Sequence, residues 1–202
     1  MKNKKSIITN SISILLGVLI FIFLSQSFFS FSANVATNPI SETKTGYQLI
    51  NDLFVGGEGN IASIIMVFSL FLMAILAGIM IALSIYNLLV NTGVIKETVG
   101  ANKIIKLINM IIAVVIALLG IAVISSTASY LSNGLDLSIA NNALSSLQAM
   151  GMQNVTAEFI LENLLTNLQT NIGFGNILNL IFGILVGGVM VYDFIPSKKI
   201  RN

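Results

Sequence analysis

The chain has 202 residues, of which 55% are apolar and only 9% carry a charge. A water-soluble domain usually has about 25% charged residues, so a chain this poor in charge is better suited to a lipid environment. Cysteine and histidine are absent, which excludes disulfides, thiolate or imidazole metal sites and a histidine general base. The net charge of +2 indicates no nucleic-acid partner, and we expect neither a cofactor nor a metal.

The first element is an apolar run that follows a lysine-rich start and extends to about residue 31. Its densest part, residues 12–24, has the length of a signal-peptide core as well as that of a short spanning helix. We expect segment 1–32 to be a membrane anchor that is not cleaved, and a cleaved signal peptide is the alternative.

Residues 33–60 are polar, and we expect them to form an extracytoplasmic loop. Tyr47, Ile50 and Phe54 in this loop follow the spacing of a short amphipathic helix.

The central element consists of two apolar runs without charge, residues 61–90 and about 107–125. At 1.5 Å per residue, the first run is about 45 Å long, which exceeds the roughly 30 Å hydrocarbon core. We therefore expect residues 61–128 to form a transmembrane hairpin, with the basic loop 91–106 in the cytoplasm.

The layout of this hairpin, in which NTGVIKETVGANKIIK joins the two apolar runs, is similar to that of the pilins of type IV secretion systems. Those proteins also have an N-terminal export segment before two apolar helices. The resemblance implies a structural subunit of a secretion or conjugation apparatus. The 74 residues after residue 128 depart from the pilin layout.

The last third of the chain contains two amphipathic stretches and one more apolar run. In region 129–171, leucine stripes predict extracytoplasmic helices from Asp136 to Met150 and from about Val155 to Gln169. Segment 172–202 predicts a fourth transmembrane helix, whose only charge is Asp193, and a basic cytoplasmic tail. The expected fold class is therefore all-α, a polytopic membrane helix bundle of about four transmembrane helices with a small extracytoplasmic amphipathic helical hairpin.

The positions of the basic residues predict the orientation of the chain, because basic residues near spanning segments stay in the cytoplasm. With both termini inside, only Lys44 of the ten basic residues falls outside. The topology-determining residues are then Lys2, Lys4, Lys5, Lys96, Lys103, Lys106, Lys198, Lys199 and Arg201. Cleavage of the first segment would leave the new N-terminus outside. The expected location is the cell (inner or cytoplasmic) membrane or a viral membrane.

Small residues recur at helical spacing in the apolar runs, which predicts close packing of the helices in lipid. The predicted packing residues are Ala74, Gly78, Ala82, Ala113, Ala117, Gly120, Gly175, Gly183 and Gly187. Packing within one chain is the first interpretation. A homo-oligomeric contact is the second, for which the Gly183–Gly187 GxxxG pair is the preferred site.

Four amides are expected near spanning depth, where each could hydrogen-bond between helices or line a pore. They are Asn87, Asn109, Asn176 and Asn179.

No catalytic residue is predicted, because the spanning runs lack ionisable groups in their centres and lysine is the only remaining base for a serine nucleophile. We expect a structural or assembly subunit without catalytic activity, in an envelope, secretion, conjugation or viral membrane assembly. Its expected partners are the lipid bilayer and either further copies of itself or other membrane subunits. The alternatives are a passive or holin-like pore and an accessory subunit of a transporter complex.

Overall fold

The computed structural model describes residues 4–36, 38–55, 61–96, 101–149 and 154–195 of the chain. Four helices in these ranges are long and apolar enough to cross a membrane, as the sequence predicts for a multi-pass helix bundle. The elements in chain order are α1 (Lys4–Leu24), β1 (Ser27–Val35), β2 (Asn38–Thr45), α2 (Gly46–Val55), α3 (Ile61–Thr92), α4 (Ala101–Asn133), α5 (Leu135–Ala149), α6 (Ala157–Asn163), β3 (Leu165–Ile172) and α7 (Phe174–Phe194). The four candidate spans are α1, α3, α4 and α7.

The expectation of an all-α fold is wrong, because the chain also forms a three-stranded antiparallel sheet with the strand order β2-β1-β3. The first apolar run ends as a helix at Leu24 and continues as β1, whose Phe28 and Phe29 are buried. Phenylalanine is favoured in strands as well as in lipid, so the run of apolar letters did not reveal the change of structure.

The predicted second amphipathic helix, 155–169, is also wrong in its second half, because α6 ends at Asn163 and β3 follows. The pairing of β1 with β3 is irregular between Ser32 and Asn34, where β3 carries one extra residue. Asn167 lies within this bulge and has a φ of 56°. Because a bulge adds one residue to a strand, two residues three positions apart can point to the same side of it. Leu165 and Leu168 therefore have the spacing typical of a helix although they lie in a strand.

The chain divides into two compact units, which we call the bundle unit and the sheet unit. The bundle unit comprises Met1–Phe23, Ser69–Ile121 and Leu178–Asn202, and the sheet unit comprises Leu24–Phe68 and Ala122–Ile177. In the sheet unit, apolar side chains form a hydrophobic core. The largest fully buried side chains of this core include Phe28, Met66, Leu135 and Ile160. The ring of Phe29 contacts the ring of Tyr130, with their centroids 5.7 Å apart.

Along each long helix, one series of buried residues recurs alternately every three and every four positions. They are Ser6, Asn10, Ser13, Gly17, Ile20 and Leu24 in α1; Met66, Leu70, Met73, Ala77, Met80, Ser84 and Asn87 in α3; Asn109, Ala113, Ile116, Gly120, Val123 and Thr127 in α4; and Asn176, Asn179, Gly183, Val186 and Met190 in α7. An average period of 3.5 residues is that of left-handed packing at small crossing angles, which is common in membrane bundles.

In the bundle unit, each long helix packs against the next one and α7 packs against α1. The contacts that show this are Gly17 with Met80, Ser84 with Asn109, Gly187 with Ala117, and Thr9 with Asp193. The unit is therefore a four-helix bundle in which sequence neighbours are also neighbours in space.

Candidate functional site

A buried polar cluster joins all four helices of the bundle unit. The Asp193 carboxylate on α7 has a side-chain exposure of only 4%, and its Oδ2 lies 3.5 Å from Lys106 Nζ on α4. Thr9 on α1 donates a hydrogen bond to Asp193 Oδ1 at 2.7 Å, and Ser6 donates to Oδ2 at 3.3 Å. The hydroxyl of Ser6 also accepts from Lys106 at 2.7 Å and from Asn91 of α3 at 3.3 Å. Asp193 is therefore held by an ion pair and by two hydroxyls.

Lys5, in the first turn of α1, lies beside the C-terminal end of α7. Its Nζ donates to the carbonyl oxygen of Ile195 at 2.6 Å and lies 4.3 Å from the centre of the Tyr192 ring. A lysine that hydrogen-bonds a helix-terminal carbonyl and contacts an aromatic face stabilises the end of α7.

Beside the ion pair, three amides and one hydroxyl lie in the interior of the bundle unit. We call these four residues the amide level: Asn10, Ser13, Asn87 and Asn109. All four side chains are at most 1% exposed. The Nδ2 group of Asn109 donates to Ser84 Oγ at 2.9 Å and contacts the sulfur of Met190 at 3.3 Å. Two of the predicted amides, Asn87 and Asn109, therefore belong to one polar interior.

The signal that sequence reasoning missed is the spacing of these polar residues. Ser6, Asn10 and Ser13 follow the same 3.5-residue pattern as the buried apolar residues further along α1. This spacing places the three residues on one face of α1, but almost every residue from Ile12 to Leu24 is apolar, so the sequence does not show which face is buried.

The middle of the bundle unit is apolar. Its buried members include Ile20, Met73, Ala77, Met80, Ile116 and Val186. Large side chains such as Met73, Met80 and Ile116 have no exposed surface. In the described part of the chain, the amide level therefore does not continue as a polar path along the whole bundle unit.

The predicted small residues fall into two groups. Gly183 and Gly187 face α4: a Cβ atom at Gly183 would lie 3.3 Å from the carbonyl oxygen of Ile116, and one at Gly187 would lie 3.4 Å from Ala117 Cβ. A Cβ at Gly120 would lie 3.3 Å from the Cα of Leu180. The closest backbone approach at these glycines is thus between α4 and α7 of the same chain.

The packing residues predicted on α3 are less buried than Gly183 and Gly187 of α7. Ala74 and Gly78 are partly exposed and Ala82 is exposed, and a Cβ at Gly78 would meet only the ring of Phe21, at 3.9 Å. On α4, Ala113 is buried and Ala117 is partly exposed. The buried face of α3 carries Met73, Ala77 and Met80 instead.

The other two predicted amides and Gly175 are also buried. In the sheet unit, Asn176 donates to Thr127 Oγ1 at 2.8 Å, and this hydroxyl contacts the sulfur of Met66 at 3.1 Å. Asn179 belongs to the bundle unit and is 1% exposed. Asn176 thus joins α7 to α4 within the sheet unit.

The predicted topology-determining residues take different positions. Lys4 and Lys103 are exposed, as is Lys96, whereas the side chain of Lys106 is only 16% exposed and turns into the polar cluster. Lys2, Lys198, Lys199 and Arg201 lie outside the described residues.

The two edges of the sheet differ in chemistry. Strand β2 carries Pro39 and an ion pair in which Lys44 Nζ lies 2.9 Å from Glu42. Strand β3, with the sequence LTNLQTNI, has neither proline nor charge, and most of its side chains are exposed. Proline and charge are the usual features that prevent a sheet edge from pairing with another strand, so β3 is the unprotected edge.

The face of the sheet carries an open groove of about 340 Å³. Its lining residues are Ser32, Ala33, Asn34, Pro39, Ile40, Ser41, Asn167 and Gln169. In the described ranges, no group of three or more His, Cys, Asp or Glu residues could hold a metal ion.

Comparison with protein-family models, with curated proteins and with solved structures gave no match to this chain. The fold itself defines the class, a membrane protein with four candidate spanning helices and a small folded sheet unit.

Proposed function

We propose that the chain is a membrane assembly subunit without catalytic activity, in which the four helices anchor the sheet unit and the free edge of β3 pairs with a second copy of the chain. The observation that carries this proposal is the difference between the sheet edges, one with a proline and an ion pair and the other without either. A strand with an open edge binds another strand through backbone hydrogen bonds.

The register of the sheet supports this use of β3. The backbone N–H of Gly173 donates to the carbonyl of Phe28 at 2.8 Å, and Phe29 faces Ile172. Bonding direction alternates along antiparallel strands, so the N–H groups of Thr170 and Ile172 point away from β1. These groups are available to a partner strand, and the absence of charge on β3 makes pairing between two copies free of repulsion.

The proposed orientation follows from the lysines. With both termini in the cytoplasm, loop 91–106 is cytoplasmic and the sheet unit is extracytoplasmic, in a cell membrane or a viral membrane. Segment 1–32 would then be retained, which is supported by the contacts of Ser6 and Thr9 with Asp193 in the bundle interior.

A passive pore has less support. The amide level would favour a pore, but Ile20, Met80 and Ile116 fill the middle of the bundle unit. A pore through one chain would require these side chains to move apart.

The test compares two lysine substitutions, Thr170→Lys on β3 and Ser41→Lys on β2. Both replace an exposed residue of an edge strand, but only the first puts charge on the unprotected edge. In mild detergent, light scattering should show a dimer or larger oligomer for the parent chain. Thr170→Lys should weaken association about tenfold or more, equivalent to about 1.4 kcal/mol, whereas Ser41→Lys should not.

The proposal fails if the parent chain is monomeric at every concentration, or if both lysine variants associate like the parent. The pore alternative is tested with the same protein in vesicles: leakage of a small dye at low protein density would support a pore.

A further inference from the structure

We propose that the amide level binds one small monovalent cation, such as Na⁺, through uncharged side-chain oxygens. The proposal concerns the bundle unit alone and does not depend on the function proposed for β3.

The first support is a group of buried polar atoms at the amide level that have no partner among the described residues. They are the oxygens Asn10 Oδ1, Ser13 Oγ, Asn87 Oδ1 and Asn109 Oδ1, together with the donor Asn87 Nδ2, which cannot itself ligate a cation; Asn176 Oδ1 in the sheet unit also has no partner. Buried polar side-chain atoms nearly always have a hydrogen-bond partner, and the requirement is stronger where lipid surrounds the protein. Several unpaired atoms in one small region therefore indicate a ligand.

The second support is the orientation of the amides. Asn10 Nδ2 donates to the carbonyl and the hydroxyl of Ser6, at 2.6 Å and 3.1 Å. Asn109 Nδ2 is likewise held by Ser84 Oγ. Because the nitrogen of each amide is fixed by a serine, its carbonyl oxygen is the atom left for a ligand, and an oxygen set of this kind suits a hard cation.

The third support is the register of the helices. Ser6 contacts Asn91, and a Cβ at Gly17 would meet Met80, so α1 and α3 run past each other in opposite directions. Between these contacts, Asn10 falls opposite Asn87 and Ser13 falls opposite Ser84. Asn109 bonds to Ser84, so the unpaired oxygens lie within about two helical turns of one another along the bundle interior.

The charge of the ligand follows from the charges around it. The nearest charged pair is Lys106 with Asp193, in which the two formal charges cancel. The unpaired oxygens themselves are neutral, whereas Ca²⁺ and Mg²⁺ sites include carboxylates. Neutral oxygens beside a balanced ion pair favour a monovalent cation, and a further charge at this end of the bundle unit, Lys5, is held at the exposed end of α7 by the carbonyl of Ile195. The sequence-based expectation that no metal binds considered thiolate and imidazole ligands, so it did not test for an alkali-metal site.

The test is direct binding of ²²Na⁺ to the full chain in detergent, with choline chloride keeping the ionic strength constant. The parent chain should retain about one Na⁺ per molecule in a saturable manner, and its melting temperature should rise with NaCl relative to choline chloride. Excess unlabelled NaCl or KCl should displace the label.

Two substitutions in the site and one control complete the test. Asn87→Ala should abolish retention of ²²Na⁺, and the milder Ser13→Ala should weaken it at least tenfold. The control is Asn176→Ala, which removes an equally buried amide from the other polar cluster and should leave Na⁺ retention unchanged. If Asn87→Ala does not fold, Ser13→Ala still carries the comparison.

Absence of saturable binding to the parent chain would overturn the proposal and leave water as the only partner of these atoms. Equal loss of binding in Ser13→Ala and Asn176→Ala would also overturn it, because the effect would then follow stability and not the site.

Discussion

The two units of this chain differ in where their polar and apolar residues lie. In the bundle unit, Asn10 and Asn109 are fully buried, whereas isoleucines and leucines such as Ile8 and Leu118, both 59% exposed, lie outside. In the sheet unit, Phe28 and Ile160 are fully buried, and polar residues cover the surface of α5. The bundle unit therefore has the apolar exterior that suits lipid, whereas the three strands and α5 of the sheet unit have a mostly polar exterior.

The two units are therefore stabilised by different interactions. Burial of apolar side chains such as Phe28 and Ile160 stabilises the part of the sheet unit that has a polar exterior. It does not hold the bundle unit together, because lipid is as apolar as its isoleucines. Close backbone packing and buried polar contacts must do so, and each prediction below alters one of these.

The largest effect is expected from Asp193→Leu in the bundle unit. Removing the carboxylate leaves the ammonium of Lys106, whose side chain is only 16% exposed, without its ion-pair partner. Such a loss costs about 3–5 kcal/mol, whereas replacing both partners of a buried pair by apolar residues is often neutral. Unfolding in sodium dodecyl sulfate should therefore show a large loss of stability for Asp193→Leu.

The matched variant is Lys106→Met with Asp193→Leu, which should recover most of the stability of the parent. A double variant that is as unstable as the single one would show that the pair matters through its hydrogen bonds with Ser6 and Thr9, and not through the unpaired charge.

A smaller but clear effect is expected in the sheet unit from Gly173→Val. A Cβ at this position would overlap the backbone carbonyl of Ser27, which cannot move aside as a side chain can. We expect a loss of about 2–3 kcal/mol, at the upper end of the usual cost of overpacking. The measurement is thermal unfolding followed by the infrared signal of the sheet.

The control for Gly173→Val is Ile172→Val, a conservative change at an exposed neighbour. If the two variants have the same melting temperature, the close approach between Gly173 and Ser27 is not important for the stability of the sheet.

The contrast between the units also explains what the sequence could predict. The four candidate spanning helices were predictable, because a run without charge as long as residues 61–90 is typical of a helix that crosses a membrane. The three strands were not, because the aromatic residues of β1 continue an apolar run and the bulge at Asn167 gives β3 a helix-like spacing of leucines.

The polar interior was predictable only in part. Asn87 and Asn109 stand out as amides in apolar runs, but Ser6, Lys106 and Asp193 lie at helix ends, where a polar residue is usually solvated. Their assignment needs the relative rotation of the helices, which depends on contacts between residues far apart in sequence. The ion pair between Lys106 and Asp193 can therefore be identified only from the structure.

An intermediate effect is expected from Gly187→Leu, with Gly188→Leu as its control. A side chain at Gly187 meets Ala117 and the carbonyl of Ala113, whereas a Cβ at Gly188 has nothing within 4 Å. We expect about 1–2 kcal/mol of destabilisation for Gly187→Leu and little change for Gly188→Leu. If Gly187→Leu changes oligomer size and leaves unfolding unaffected, the contact between chains is the correct interpretation of this glycine pair.

The smallest predicted effect is a gain in stability in the sheet unit. Ala36 has a φ of 56°, a conformation that costs a non-glycine residue about 1 kcal/mol. Ala36→Gly should remove this strain but also add freedom to the unfolded chain, so we expect a net gain of about 0.5 kcal/mol. Asn167 has the same φ, but asparagine tolerates this region well, so Asn167→Gly should gain less. Melting temperatures that rank the two variants in the opposite order would show that backbone strain at these two positions does not limit the stability of the sheet.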